Sequence, residues 1–364
     1  MPQTKMTADE FRIRMVAGSF PKYRSLSEAL DCMGFIQADP IRSPARAQDL
    51  VLRQRVRGYR AGNLEKQYSR IAAEEGYLFA YGFMTHEVWR HLRYRPFRAL
   101  SKIERQVLDA IAELGEVHSR GLDGRFERKS VINYWGGRSQ ETKQVLEQLH
   151  HHGYLRVCRR DNGIRVYEVP SEARRPFGSG RRRYRFLALT TALQVGPVTQ
   201  RFLLSELRSH NHLVPKRADR LAIIASLIDD GELEELTVGD TRYLWRKERW
   251  ESRETVKTFR VLAPFDPLVR DRDRFLQLFG WAYRFEAYVP ASRRQRGYYA
   301  MPVLYGNQII GWANAKAENA SLKLELGYTN GRPRARDFRK LAEEEAESMV
   351  HFLGLDAGSW EIQF

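Results

Sequence analysis

Apolar residues recur along this chain with two different periods. Leu26, Leu30 and Met33 fall on one helical face between Ser25 and Gly34. Ser25 and Glu28 have capping-box spacing, and Gly34 can take the left-handed conformation that stops a helix. The period then shortens to two. Phe35, Gln37 and Asp39 share one side of an expected strand, with Ile36 and Ala38 on the other. Pro40 follows, biasing Asp39 toward an extended backbone and supplying no N–H donor. Upstream, residues 5–34 read as helices broken near Pro21.

Downstream, one order of elements occurs twice. Ile103, Val107, Leu108, Ile111 and Leu114 mark a helix, and a short helix is expected around Val131 to Trp135. A third runs from Ser139 to His152 and stops at Gly153. Tyr154 to Val157 and Ile164 to Val169 then read as strands joined by the hairpin turn Asp161-Asn162-Gly163. Residues 186–246 repeat this plan. Leu187, Leu189 and Leu193 mark one helix, Thr199 to Ser209 a second, and Leu221, Ile224, Leu227 and Ile228 a third that stops at Gly231. Strands at Leu233 to Val238 and Arg242 to Trp245 flank Gly239-Asp240. Three helices and a hairpin is the order of a winged-helix domain, and the first hundred residues read as a more degenerate copy.

From about Val256 the pattern changes. Strands are expected at Phe259 to Leu262, Arg284 to Val289, Tyr298 to Tyr305, Gln308 to Ala315 and Ser321 to Leu326, then a helix from Arg334 to Phe352. The expected fold is therefore α+β. Winged-helix domains occupy residues 1–100, 101–172 and 173–250, and an antiparallel, β-rich, barrel-like domain occupies 251–364.

Charge narrows the partners. The 364 residues hold 61 Lys+Arg against 45 Asp+Glu, a net +16. That balance, carried mainly by arginine, points to a nucleic acid or another polyanion. No apolar run approaches the roughly 20 residues of a membrane helix, and no membrane partner is expected. Cys32 and Cys158 form no CxxC and suit a reducing cytosol. No Walker loop, HExxH or GxSxG occurs, and neither metal nor cofactor is expected. His150-His151-His152 sit at a helix end, where they complement the dipole. Asp266, Asp271 and Asp273 alternate with Arg270, Arg272 and Arg274, as structural ion pairs do.

Candidate chemistry lies at Gln37 and Asp39. Their Cα atoms would stand roughly 6.5–7 Å apart in an extended chain, and an amide and a carboxylate at that separation could hold one water. The plain alternative is the solvated edge of a short strand. An arginine-rich stretch follows from Ser43 to Arg60, where Leu50, Val51 and Leu52 suggest packing with the arginines outward. Residues 156–185 carry ten arginines and three acids, densest at Arg181, Arg182 and Arg183, and read as a phosphate-contacting stretch beside a wing. Tyr77, Phe79, Tyr81, Phe83 and Trp89 read as core, with His86-Glu87 as a hydrogen-bonded pair.

Two segments carry a family resemblance: Leu30 to Leu52, "LDCMGFIQADPIRSPARAQDLVL", and Pro264 to Gly311, which opens "PFDPLVRDRDRF" and includes "YVPASRRQRGYYAMPVLYG". They resemble the bacterial AlkZ/YcaQ (AlkX) tandem winged-helix DNA glycosylases, and the likeness extends over essentially the whole chain. Gln37-Ala38-Asp39 is similar to the Gln-x-Asp form of that family's signature, the form of the YcaQ branch. The resemblance implies a monofunctional glycosylase of base excision repair. Its reaction would be hydrolysis of the N-glycosidic bond to N7- or N3-alkylated purines in double-stranded DNA, including bases in interstrand crosslinks. Asp39 would activate water and stabilise the sugar cation, and Gln37 would orient the water. Arg42, Arg46, Arg53 and Arg55, with Arg181, Arg182 and Arg183, would hold phosphates, and His86 and Glu87 would support the site. A crosslinked base stays tethered to the other strand, so an open channel is expected. No lysine adjoins the pair, so no Schiff-base step is expected. A cytoplasmic, nucleoid-associated bacterial monomer is implied.

Three positions depart from the family pattern: Ala38, where a larger aliphatic is usual; "YGFMTHEVWRHL" around His86; and Trp312 after Gly311, where arginine is common. The competing expectation is a non-catalytic winged-helix transcriptional regulator. An RNA-binding module fits the charge but not the repeated units.

Overall fold

The computed structural model describes residues 4–96, 98–122, 125–126, 130–132, 138–172, 174–246 and 257–364. Several helices start at side-chain caps. Thr7 and Glu10 form a capping box that opens helix Ala8–Ser19. Ser25 accepts from the Glu28 amide at 3.1 Å and opens helix Leu26–Met33, which Gly34 closes at φ 69°. Ser101 and Glu104 do the same for helix Lys102–Leu114.

The focal strand spans Phe35–Gln37, shorter than its alternation suggested. Ala38 still donates to the Tyr81 carbonyl at 2.9 Å. Asp39 then turns its N–H to the Gln48 amide oxygen at 3.2 Å, and Pro40 has no N–H to continue the ladder. The strand pairs antiparallel with Tyr81–Thr85, which pairs in turn with Ala73–Tyr77. Opposite Gln37 lies Gly82, where a Cβ would sit 2.4 Å from the Ile36 carbonyl oxygen. Only glycine permits that approach.

Three small sheets share one order. In the first, the early strand Phe35–Gln37 lies beside the last strand of the unit, with the middle strand outside. In the second, Val117–His118 lies beside Ile164–Glu168, which pairs with Arg156–Asp161. In the third, Val198 bridges Leu244 in strand Thr241–Trp245, which pairs with Glu234–Val238. The turn between Asp161 and Ile164 has positive φ at both Asn162 and Gly163, as a two-residue hairpin turn requires. The outer edge of the third sheet is covered by Thr4–Met6, running parallel to Glu234–Val238. The sequence did not mark that strand: it is short and pairs with a segment some 230 positions away.

Several expected elements differ. Most of the helix expected around Val131 to Trp135 lies outside the described residues. Its start belongs to strand Ser130–Ile132, which pairs with Arg138–Gln140. Arg284 to Val289 forms no strand, and the following strand begins at Met301. The C-terminal sheet is mixed. Phe259–Val261, Met301–Tyr305, Gln308–Glu318 and Ser321–Tyr328 pair antiparallel in that order, and Trp360–Gln363 joins in parallel. Helix Phe338–Leu353 packs on this sheet.

Three apolar cores hold these parts together. The first joins Leu26, Leu30 and Ile36 to Val107, Leu149 and Val157 and to the C-terminal sheet. The second joins Phe35, Met84 and Trp89 to Leu187, Leu203 and Leu227. The third joins Phe11 and Met15 to Trp245, Phe275 and Trp281. Phe35 and Ile36, adjacent in sequence, therefore point into different cores.

Candidate active site

Gln37 and Asp39 lie at the end of that strand. Asp39 is buried, 7% exposed. Its Oδ1 accepts from the Ile41 amide at 2.9 Å, an aspartate turn that Pro40 pre-shapes. Oδ2 takes no hydrogen bond from a described residue. One carboxylate oxygen is anchored and the other is left for a ligand. Burial pushes the Asp39 carboxyl above the ordinary aspartate range, and the Ile41 amide pulls it partly back. The Asp39 charge in turn helps raise the Tyr288 and Tyr299 hydroxyls, after the larger effect of burial. Tyr288 is 75% exposed, an aromatic ring open to solvent within electrostatic reach of Asp39.

Gln37 is held from another direction. The Arg270 Nη1 donates to its Oε1. Arg270 also donates through Nε to Glu206 Oε2 at 2.8 Å, and its guanidinium lies 4.4 Å from the Phe79 ring. Phe79 packs edge-on against Phe35 at 4.8 Å. The sequence pattern placed Arg270 among alternating ion pairs, and nothing local marked it or Glu206 as belonging to the Gln37 site. The expected ion pairs within the run do not form among the described residues: Asp266 and Asp271 cap short helices, Asp266 also pairs with Arg55, and Arg272 and Arg274 donate to backbone carbonyls. Ala38 packs against the first core.

The arginines expected at phosphates divide into two groups. Arg53 and Arg55 turn inward, a correction to the expected outward face. All of helix Ala47–Arg53 is buried. Arg53 meets Glu345 at 2.6 Å, and Arg55 meets Asp266 through two bonds of 2.7 and 2.9 Å. Arg183 is also buried. It donates to the carbonyls of His91 and Tyr94 at 2.8 and 2.7 Å, closing the end of helix His86–Arg93. These three side chains are committed to holding the fold. Arg46 pairs with Glu65 and is mostly covered. Arg42, Arg181 and Arg182 are exposed.

His86 lies between Glu74 and Glu172, at 3.0 and 3.3 Å, and Glu87 faces Arg90. No described hydrogen bond joins either to Gln37 or Asp39. Trp312 lies flat on Gly327, where a Cβ would fall 2.2 Å from the indole. It stacks on Trp281, and the Arg296 guanidinium covers both rings. Among the described residues Glu116, Cys158 and Glu168 cluster closely enough for a metal. They suit one poorly. Arg159 and Arg156 already neutralise the two acids, and burial pushes the thiol up to about 11.

The architecture is shared with a DNA glycosylase. DNA glycosylase AlkZ of Streptomyces sahachiroi matches 98% of this chain and 100% of its own length, with a TM-score of 0.64 at 14% identity. A profile of the DNA glycosylase AlkZ-like family matches residues 30–352, from helix Leu26–Met33 into the last helix. The chain belongs to that family.

Proposed function

We propose that this glycosylase hydrolyses the N-glycosidic bond of N7- or N3-alkylated purines in double-stranded DNA, crosslinked bases included, and that Gln37 and Asp39 carry the reaction. The observation that supports this most is the state of Asp39: a buried carboxylate with one oxygen anchored and one open, beside an oriented amide. Alkylation at N7 or N3 makes the base cationic and a good leaving group. The base then departs with the glycosidic electron pair as a neutral species. Water adds to the sugar carbon and gives its proton to Asp39, whose charge also stabilises the oxocarbenium ion. None of the described residues that bond to Gln37 or Asp39 is a lysine, which favours hydrolysis over a Schiff-base route.

Each of the three sheet units has its early strand beside the last strand of a hairpin, which supports a winged-helix reading of all three. Exposed Arg42, Arg181 and Arg182 are the arginines left to meet DNA phosphates. The test is incubation with an N7-methylguanine duplex, followed by alkaline cleavage at abasic sites. Wild-type protein should release the base. Asp39→Asn should lose release by at least about 100-fold, as loss of a proton-accepting group predicts, while its DNA affinity stays within about twofold. A protein that binds the duplex but never leaves an abasic site is a binding module, as the regulator reading holds.

A further inference from the structure

The Gln37 amide is held by a residue that does nothing else at the site. A guanidinium has only donors, so the Gln37 oxygen must be the end that faces Arg270. Nε2 is then the end that remains, and it makes no bond to a described residue. Arg270 has no freedom to do otherwise. Its Nε and Nη2 both meet Glu206 Oε2, at 2.8 and 2.7 Å, and its face rests on Phe79. Both side chains are largely covered, at 18% and 15% exposure. Glu206 ends helix Gln200–Glu206, and Arg270 ends helix Pro267–Arg270. Two distant parts of the chain thus converge on one amide oxygen.

We propose that Arg270 and Glu206 are positioning residues that fix Gln37 as a hydrogen-bond donor to the attacking water. The inference rests on the catalytic reading of Gln37 given above. With Nε2 donating to a lone pair of the water, the water's own proton points away from Gln37 and toward the open oxygen of Asp39. An amide free to rotate would present its oxygen half the time, accept that proton's hydrogen bond and misdirect the water. Glu206 has a second task. An unneutralised guanidinium beside Gln37 would oppose the positive charge that develops on the sugar, and the carboxylate cancels it.

The test is a double-mutant cycle on single-turnover base release from an N7-methylguanine duplex, with DNA affinity measured alongside. Gln37→Ala and Arg270→Ala should each slow release by about 10- to 100-fold, the cost of a misplaced reacting group, with affinity nearly unchanged. In the Gln37→Ala background, Arg270→Ala should cost almost nothing more. Arg270→Lys should fall between, because a compact ammonium lacks the planar fork that meets Gln37 and Glu206 at fixed angles. Glu206→Gln, which keeps the shape and removes the charge, should slow release without weakening DNA binding, and guards against a folding failure in Arg270→Ala. If the two alanine costs multiply in the double variant, Arg270 acts independently of Gln37 and the assignment is wrong. A wild-type rate in Gln37→Ala is a different failure: it removes Gln37 from the reaction and overturns both readings.

Discussion

At the scale of single residues, Asp39 is set against its own charge. Burial disfavours the ionised carboxylate, and only the Ile41 amide offsets this directly. The ionised form is the one that accepts a proton. On the proposed role, activity should be lost as pH falls through a value above the 3.8 of an ordinary aspartate. A single-turnover rate profile between about pH 4 and pH 8 should show that acid limb, and a limb at or below the ordinary value would refute the role. The strand period made Gln37 and Asp39 visible in the sequence, and the Ser25 and Gly34 caps set where that strand begins. Arg270 was not visible. It is 233 positions from Gln37 and 64 from Glu206, and it stands in a run of alternating charges that suggests pairing within itself.

At the scale of elements, helix Ala47–Arg53 and the turn after it serve as a clasp. Arg53 and Arg55 leave it two positions apart and enter separate parts of the C-terminal region, at Glu345 and Asp266. Gln54 between them also reaches Glu345, at 3.2 Å. Both ion pairs are buried, so removing one partner strands a charge. Asp266→Asn should cost about 3 kcal/mol in denaturant unfolding, and a change below about 1 kcal/mol, the scale of a surface pair, would show that the pair relaxes into water. An arginine-rich stretch after a candidate site reads as a phosphate-binding face when taken alone. Which of its members turn inward is decided by acids some 200 to 300 positions later, and no local pattern carries that information. The helix–hairpin units were legible for the opposite reason. Their stops and turns, and the caps at Ser101, Ser179 and Thr199, are written within a few residues of where they act.

At the scale of the whole molecule, the count of 61 Lys+Arg overstates how many cations are free to meet DNA. Arg46, Arg53, Arg55, Arg160 and Arg270 are paired with acids, and Arg183 with carbonyls. Arg181 and Arg182 stand in the first turn of helix Gly180–Val195, where cations oppose the dipole, so helix stability does not account for them. Replacing both with alanine should lower the salt slope of DNA binding by up to about 0.9 for each phosphate that is no longer neutralised. An unchanged slope would make them a solvated turn. Arg183→Ala belongs in a different experiment, because it uncaps a helix and its effect should appear as reduced stability.

The strand that carries the site has a neighbour in each of two cores: Phe35 in one, Ile36 in the other. Neither core can open without dragging the same three residues. Local breathing around Gln37 is thereby tied to the opening of both cores, so heat should abolish base release and open those cores in one event, with no milder temperature at which a still-folded protein has lost activity.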